Sequence, residues 1–350
     1  MKIAQISPLY EAVPPKLYGG TERVVASLCD ALVELGHEVV LFASAEAQTL
    51  AQLAPVRDQA IRLDPSRLKS DLAAHMRQLV EVRRRADEFD ILHFHTDMVH
   101  FPFFENLAHR TLTTLHGRLD MKDLPGVYRA WPQFPLVSIS DDQRRPLAAA
   151  NWAGTVHHGL PAELYRFTPE HRGYLAFLGR ISPEKRPDRA IAIATRLGRT
   201  LRIAAKVDQA DRVYFDEKIE PLLHSPLVDY IGEIGDDRKS AFLGGAEALL
   251  FPIDWPEPFG LVMIEAMACG TPVIAYDCGS VREVVEDGFT GFIVRDEVEA
   301  AAAVRRAGTL DRLAIRRRFE QRFSSHAMAR RYLELYWRVR RGFGANALLA

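Results

Sequence analysis

Residues 248–276 read ALLFPIDWPEPFGLVMIEAMACGTPVIAY. The opening ALLFPI and the closing TPVIAY are apolar runs of strand length, and the segment between them reads as a helix starting near Phe259. A strand, a helix and a second strand in immediate succession make a crossover unit, whose two strands lie parallel in one sheet. That unit decides the fold class as α/β.

Working outward, the same rhythm fills the second half with YLAFLGR (174–180), LRIAAKV (201–207), VDYIGEI (228–234) and GFIV (291–294). The first half repeats it with KIAQIS (2–7), HEVVLFA (37–43), DILHFH (90–95), TLTTLHG (111–117), PLVSIS (135–140) and TVHHG (155–159). Val24, Leu28, Ala31, Leu32 and Leu35 recur at helical spacing, and Gly36 stops that helix. Another helical pattern occupies the seventies and eighties. A terminal helix is expected from Ser325 to the end of the chain, with Met328, Tyr332, Leu335 and Tyr336 on one face. Twelve strands suit two sheets of about six better than a single wide one. The proline-bearing stretch HGLPAELYRFTPEHRGY (158–174) separates the halves, with the linker near 160–172, so domains are expected over 1–165 and 166–324.

At 350 residues the chain is long enough for two cores, and 48% hydrophobic with 26% charged residues describes an ordinary folded protein. A net charge of -1 gives no global attraction to nucleic acid. Cys29, Cys269 and Cys278 fit no zinc pattern and no disulfide framework, which suits a reducing compartment. The start MKIAQISPLY lacks the features of a signal peptide, and no run of about 18 apolar residues occurs, so a cytoplasmic protein is expected. Arg83, Arg84, Arg85 and the tail arginines 316, 317, 318, 330, 331, 338, 340 and 341 read as solvated helix faces. Weak peripheral contact with the inner face of a membrane is the competing reading.

Ligands of parallel sheets bind beyond the carboxyl ends of the strands. After the first strand, Gly19 and Gly20 allow close backbone approach to a ligand, and the helix beginning at Thr21 offers N–H groups to an anion. The alternative is a plain loop with a Thr21 cap. His93 and His95 share one side of a strand, His116 ends another beside Gly117, and His157 and His158 close a third. No carboxylate or cysteine stands at metal spacing beside them, so no metal is expected and they read as core residues or contacts to hydroxyl-rich ligands; His116 is the candidate functional residue because its strand end and the following glycine suit a cleft. Arg180 and Lys185 follow one strand together and suit a diphosphate, against the alternative of a solvated basic loop. Glu257 lies in a proline-rich turn. Glu265 lies among Val262, Met263, Ile264, Ala266 and Met267, where a carboxylate needs hydroxyls or a cation as partner. Lys206 ends a further strand and reads as a surface lysine.

Gly19-Gly20-Thr21-Glu22, FLGRISPEK (177–185) and EPFGLVMIEAMACGTPVIA (257–275) with its glutamates eight apart resemble the family-4 retaining glycosyltransferases. TLHG (114–117), CGSVREVVEDGFTGFIV (278–294) and YLELYWRV (332–339) agree with that resemblance. It implies the GT-B fold, two Rossmann-like domains facing a cleft, with the terminal helix crossing back to the N-terminal domain. It implies a nucleotide-sugar donor, most commonly UDP-linked, and an acceptor hydroxyl that the sequence does not identify. By the same resemblance Glu257 would hold donor-sugar hydroxyls, and Glu265 the ribose. Arg180 and Lys185 would neutralise the departing diphosphate, and backbone N–H groups near Phe259, Gly260 and Leu261 would complete that anion site. Gly19 and Gly20 would approach the phosphates, and His116 would lie beside sugar and acceptor. Where the family often carries proline-glutamate, Arg282-Glu283 stands here. Asp-x-Asp is absent from the sequence, so leaving-group charge is expected to fall to Arg180, Lys185 and helix dipoles, with no cofactor. The competing functions are a non-catalytic sugar-nucleotide-binding protein, a sugar-nucleotide epimerase, and a phosphorylase, for whose pyridoxal phosphate no lysine stands out.

Overall fold

The computed structural model describes residues 1–17 and 19–342. They form two compact units. The first comprises Met1–Gly159 together with the chain from Ser325 onward, and the second comprises Leu160–Ser324. The division falls where Leu160 joins the second unit, pairing with Ser324 and donating its N–H to the Phe323 carbonyl at 2.9 Å.

The first unit holds β1 (Lys2–Ile6), β2 (Glu38–Ser44), β3 (Gln52–Arg57), β4 (Ile91–Phe94), β5 (Thr111–Thr114), β6 (Leu136–Ser138) and β7 (Trp152–Thr155). They lie in the order β3-β2-β1-β4-β5-β6-β7, and each neighbouring pair is parallel. The second unit holds β8 (Tyr174–Arg180), β9 (Leu201–Lys206), β10 (Val228–Gly232), β11 (Ala246–Phe251), β12 (Val273–Tyr276) and β13 (Gly291–Val294). Their order is β10-β9-β8-β11-β12-β13, again parallel throughout. Both are Rossmann-type orders. Each reverses direction once, at β1/β4 and at β8/β11, and a crevice opens above such a reversal.

One strand escapes the sequence reading. β3 occupies the sheet edge, carries Pro55 and is mostly half-buried, so it shows neither a buried run nor a clean alternation. Another is displaced: β7 lies before the expected TVHHG, because Leu136 pairs with Trp152 and sets its register. Gly154 masks that strand in the sequence, yet a Cβ there would stand 3.2 Å from Leu335 Cδ2. His157 and His158 therefore lie past the strand.

The helix Gly20–Glu34 begins one residue ahead of Thr21, with Gly19 at its N-cap and no side-chain cap. The terminal helix Ser325–Arg340 buries Met328, Tyr332, Leu335, Tyr336 and Val339 on the first unit. Its expected extension to residue 350 includes 343–350, which lie outside the described residues. No helix among the described residues is long and apolar enough to cross a membrane.

Candidate active site

Of the second sheet's loops, those after β8 and β11 flank its reversal. The β8 loop carries Arg180 and Lys185, and the β11 loop carries Glu257. The Lys185 ammonium pairs with Glu257 Oε2, which also accepts a 2.9 Å hydrogen bond from Trp255 Nε1. The ammonium stands 5.4 Å from the Trp255 ring centroid, adding a cation–π contact. Both charged side chains are largely buried, so this pair is weakly screened by water.

Ion pairs join the two loops. Arg186 bonds Asp254 at 2.7 Å, Arg189 reaches the same carboxylate at 3.2 Å, and the Asp254 N–H donates to the Glu184 carbonyl at 2.9 Å. Arg186 holds φ of 52°, a conformation uncommon outside glycine, at the residue preceding helix Pro187–Leu197. Arg180 faces Asp208 at 3.4 Å, Asp211 at 3.6 Å and Glu184 at 3.7 Å. Lys206 pairs with Asp208 at 2.8 Å, and these contacts hold the Asp208 carboxyl below its usual range despite partial burial.

Beyond Glu257 the chain passes Phe259 and Gly260 into helix Leu261–Ala268. Gly260 has φ of 79°, and a Cβ there would meet Met263 and Phe251. Glu265 sits inside this helix at 2% exposure, as the apolar neighbours predict. Its Oε1 accepts from Tyr165 Oη at 2.8 Å and from Lys239 Nζ at 2.7 Å, so a cation and a hydroxyl satisfy the buried charge.

Sequence reasoning missed the brace beneath Glu257. The Ser280 N–H donates to the Glu257 carbonyl at 3.0 Å, and Ser280 Oγ donates to the Phe259 carbonyl at 2.9 Å. Gly279, between Cys278 and Ser280, packs against the Glu257 backbone so closely that any Cβ would overlap it. The turn glycine of CGS was the available signal. Trp255, Arg186 and Asp254 were missed as well, because their roles are contacts between loops far apart in sequence.

On the first unit, Gly19 has φ of 151° and its missing Cβ would lie 2.7 Å from Pro15 Cβ, so local packing alone demands glycine. Gly20 opens the following helix. His116 follows β5, and Gln143 Nε2 braces its loop by donating to the carbonyls of Leu115 at 2.9 Å and Gly117 at 2.7 Å. His116 Nε2 lies 2.9 Å from His95 Nδ1, and its ring stacks on His158 with centroids 5.2 Å apart. Burial pushes its imidazolium pKa down to about 3. His95, His93 and His158 are likewise lowered by burial. Among the tail arginines, Arg316 and Arg318 pair with Glu320 and Glu286, and Arg340 pairs with Asp90.

Comparison with known proteins gives concordant matches. The model described as Glycosyltransferase Family 4 matches residues 18–213, and that of Glycosyl transferases group 1 matches residues 166–322. Phosphatidyl-myo-inositol mannosyltransferase of Mycobacterium leprae is 28% identical over 335 residues, covering 87% of this chain and 86% of its own. Glycogen synthase of Mycobacterium tuberculosis is 26% identical over 98% of this chain and 96% of its own. Among solved structures, a glycosyltransferase involved in avilamycin A biosynthesis is 26% identical with a TM-score of 0.76, covering 97% of this chain and 98% of that one. An Anabaena protein in complex with UDP and glucose shares the fold at 18% identity, TM-score 0.74, over 95% of this chain and 98% of that one.

Proposed function

Since the chain belongs to glycosyltransferase family 4 and has the GT-B architecture, we propose that it transfers a sugar from a nucleoside-diphosphate donor to an acceptor hydroxyl, with retention and without a divalent metal. One observation carries this reading. Lys185 pairs with Glu257 beside the reversal of the second sheet, and Arg180 ends β8 at the same reversal, so the two loops offer cations and an acid to a sugar diphosphate.

Donor binding exchanges partners. The diphosphate takes the Lys185 ammonium and the Arg180 guanidinium, while the Glu257 carboxylate turns to sugar hydroxyls. As the glycosidic bond lengthens, negative charge gathers on the leaving phosphate. Lys185, Arg180 and the positive end of helix Leu261–Ala268, reached past Phe259 and Gly260, stabilise that charge. Retention follows from attack on the face the phosphate leaves, with that phosphate accepting the hydroxyl proton. Glu265 carries Tyr165 and Lys239 on Oε1, so ribose hydroxyls use its other oxygen. UDP is the carrier proposed, in keeping with the UDP-bound Anabaena protein of the same fold.

The test combines binding with stereochemistry. UDP should raise the thermal midpoint of the wild type and leave that of Lys185→Ala unmoved. Proton NMR of the first product formed should show the donor's own anomeric configuration. An inverted product, or equal stabilisation of both proteins by UDP, contradicts the proposal.

A further inference from the structure

The second unit has a concave feature at the other edge of its sheet. Arg180, Lys185 and Glu257 lie at the carboxyl ends of β8 and β11, whereas a cavity of about 600 Å³ opens at the amino ends of the same strands. Glu247 lines it from the second position of β11, a strand buried at all six residues. The register against β8 slips there. Ala246 pairs with Tyr174 and Ala248 with Leu175, so Glu247 is the extra residue of a bulge. Bulges re-aim side chains, and this one places an acid in an otherwise apolar strand.

Glu247 is 7% exposed, and its Oε2 is a buried atom with no hydrogen-bond partner among the described residues. Oε1 faces the Arg199 guanidinium at 3.7 Å, beyond hydrogen-bond reach, and that arginine is half exposed to water. A carboxylate buried on these terms is costly, and a bound cation removes much of the cost.

The rest of the lining decides which cation. Arg312 spends its guanidinium on the carbonyls of Thr168, Ala246 and Gly244 at 2.9, 3.0 and 2.8 Å, and on Thr271 Oγ1 at 2.8 Å. Asp311 accepts from the N–H groups of Leu313 and Ala314 at 2.8 and 3.2 Å, which offsets the positive end of helix Arg312–Arg322. The carbonyl end of helix Glu297–Ala307 borders the cavity and adds negative potential. These charges disfavour an anion. Among the described residues no group of three or more His, Cys, Asp or Glu could hold a metal ion. The walls are apolar, built by Phe167, Pro272, Leu310 and Leu313, and Glu170 stands exposed at the rim. An alkylammonium compound meets both demands: its N–H groups bond the carboxylate and its chain covers the walls.

We propose that this cavity is a second ligand site of the protein, which takes a small alkylammonium compound with its charged head on Glu247 and its chain along the apolar walls. A diamine places its second ammonium beside Glu170. The site is independent of the donor reading above, since it uses none of the residues assigned to the sugar nucleotide.

Leucine-methyl NMR of the full chain, titrated with 1,4-diaminobutane and with no sugar nucleotide present, tests the site. The diol 1,4-butanediol matches the probe in shape without its charge, and sodium chloride matches its ionic strength. Leu310 and Leu313 are assigned by the signals lost in Leu310→Ile and Leu313→Ile. In the wild type their methyls should shift saturably with the diamine and stay in place with the diol and the salt. Glu247→Gln keeps the shape of the side chain and should weaken diamine binding on the order of 10- to 100-fold. Diamine shifts confined to other leucines, equal shifts with the diol or the salt, or undiminished binding by Glu247→Gln each overturn the proposal. The wild-type titration decides both place and charge even if Glu247→Gln fails to fold.

Discussion

A Cβ at position 279 would come to 2.5 Å from the Glu257 carbonyl oxygen, and Gly279 also holds φ of 58°. Gly279→Ala is therefore expected to displace the Glu257 turn and lower turnover at least tenfold, while circular dichroism keeps its native shape. Wild-type turnover in that variant removes the brace from the account. Lys185→Ala and Arg180→Ala each delete a cation facing the leaving group, and kcat should fall by about 10²- to 10³-fold in steady-state assays. The placement of Lys185 and Glu257 in loops after strands was legible, because each lies in a motif that directly follows an apolar run. The support from Gly279 and Ser280 was not, since nothing in the order of residues reveals which turn packs beneath which.

The terminal helix was visible at the scale of elements through its buried stripe, and its packing gives that stripe an energetic role. Leu335 is 4% exposed and abuts Gly154 of β7. Leu335→Ala should cost about 2–5 kcal/mol in urea unfolding of the first unit. Trp337→Ala, at a side chain 46% exposed on the same helix, should change stability by about 0.5 kcal/mol or less. Similar losses for both would show that the helix does not bury its stripe as described. Most of the strands follow from apolar runs, which buried parallel strands require. β3 did not, because a half-buried edge strand tolerates Pro55 and needs no such run. The contact between His93 Nδ1 and Tyr336 Oη, 2.8 Å apart, was equally hidden, because the two residues stand 243 positions apart in the sequence.

For the whole molecule, buried histidines tie stability to pH. His93, His95, His100, His116 and His158 all have folded pKa values lowered by burial. In the unfolded chain each titrates near 6.5, so below that pH the unfolded state binds more protons and stability falls. Above about pH 7 both states are neutral at these rings, and their contribution is fully present. The urea midpoint should therefore drop between pH 7.5 and pH 5.5, and a midpoint that holds or rises would show that the rings accept protons in place. Two sheets and their parallel sense were within reach of the sequence, since strand–helix alternation dictates them, whereas the units divide at Gly159/Leu160, ahead of the boundary expected after residue 165.

The most direct test of the central claim is nucleoside diphosphate release from a panel of UDP-, GDP- and ADP-sugars, with and without EDTA, for the wild type and Lys185→Ala. The account predicts slow release from one donor by the wild type, undiminished by EDTA and lost in the variant. Release that EDTA abolishes, or that Lys185→Ala supports as well as the wild type, would contradict it.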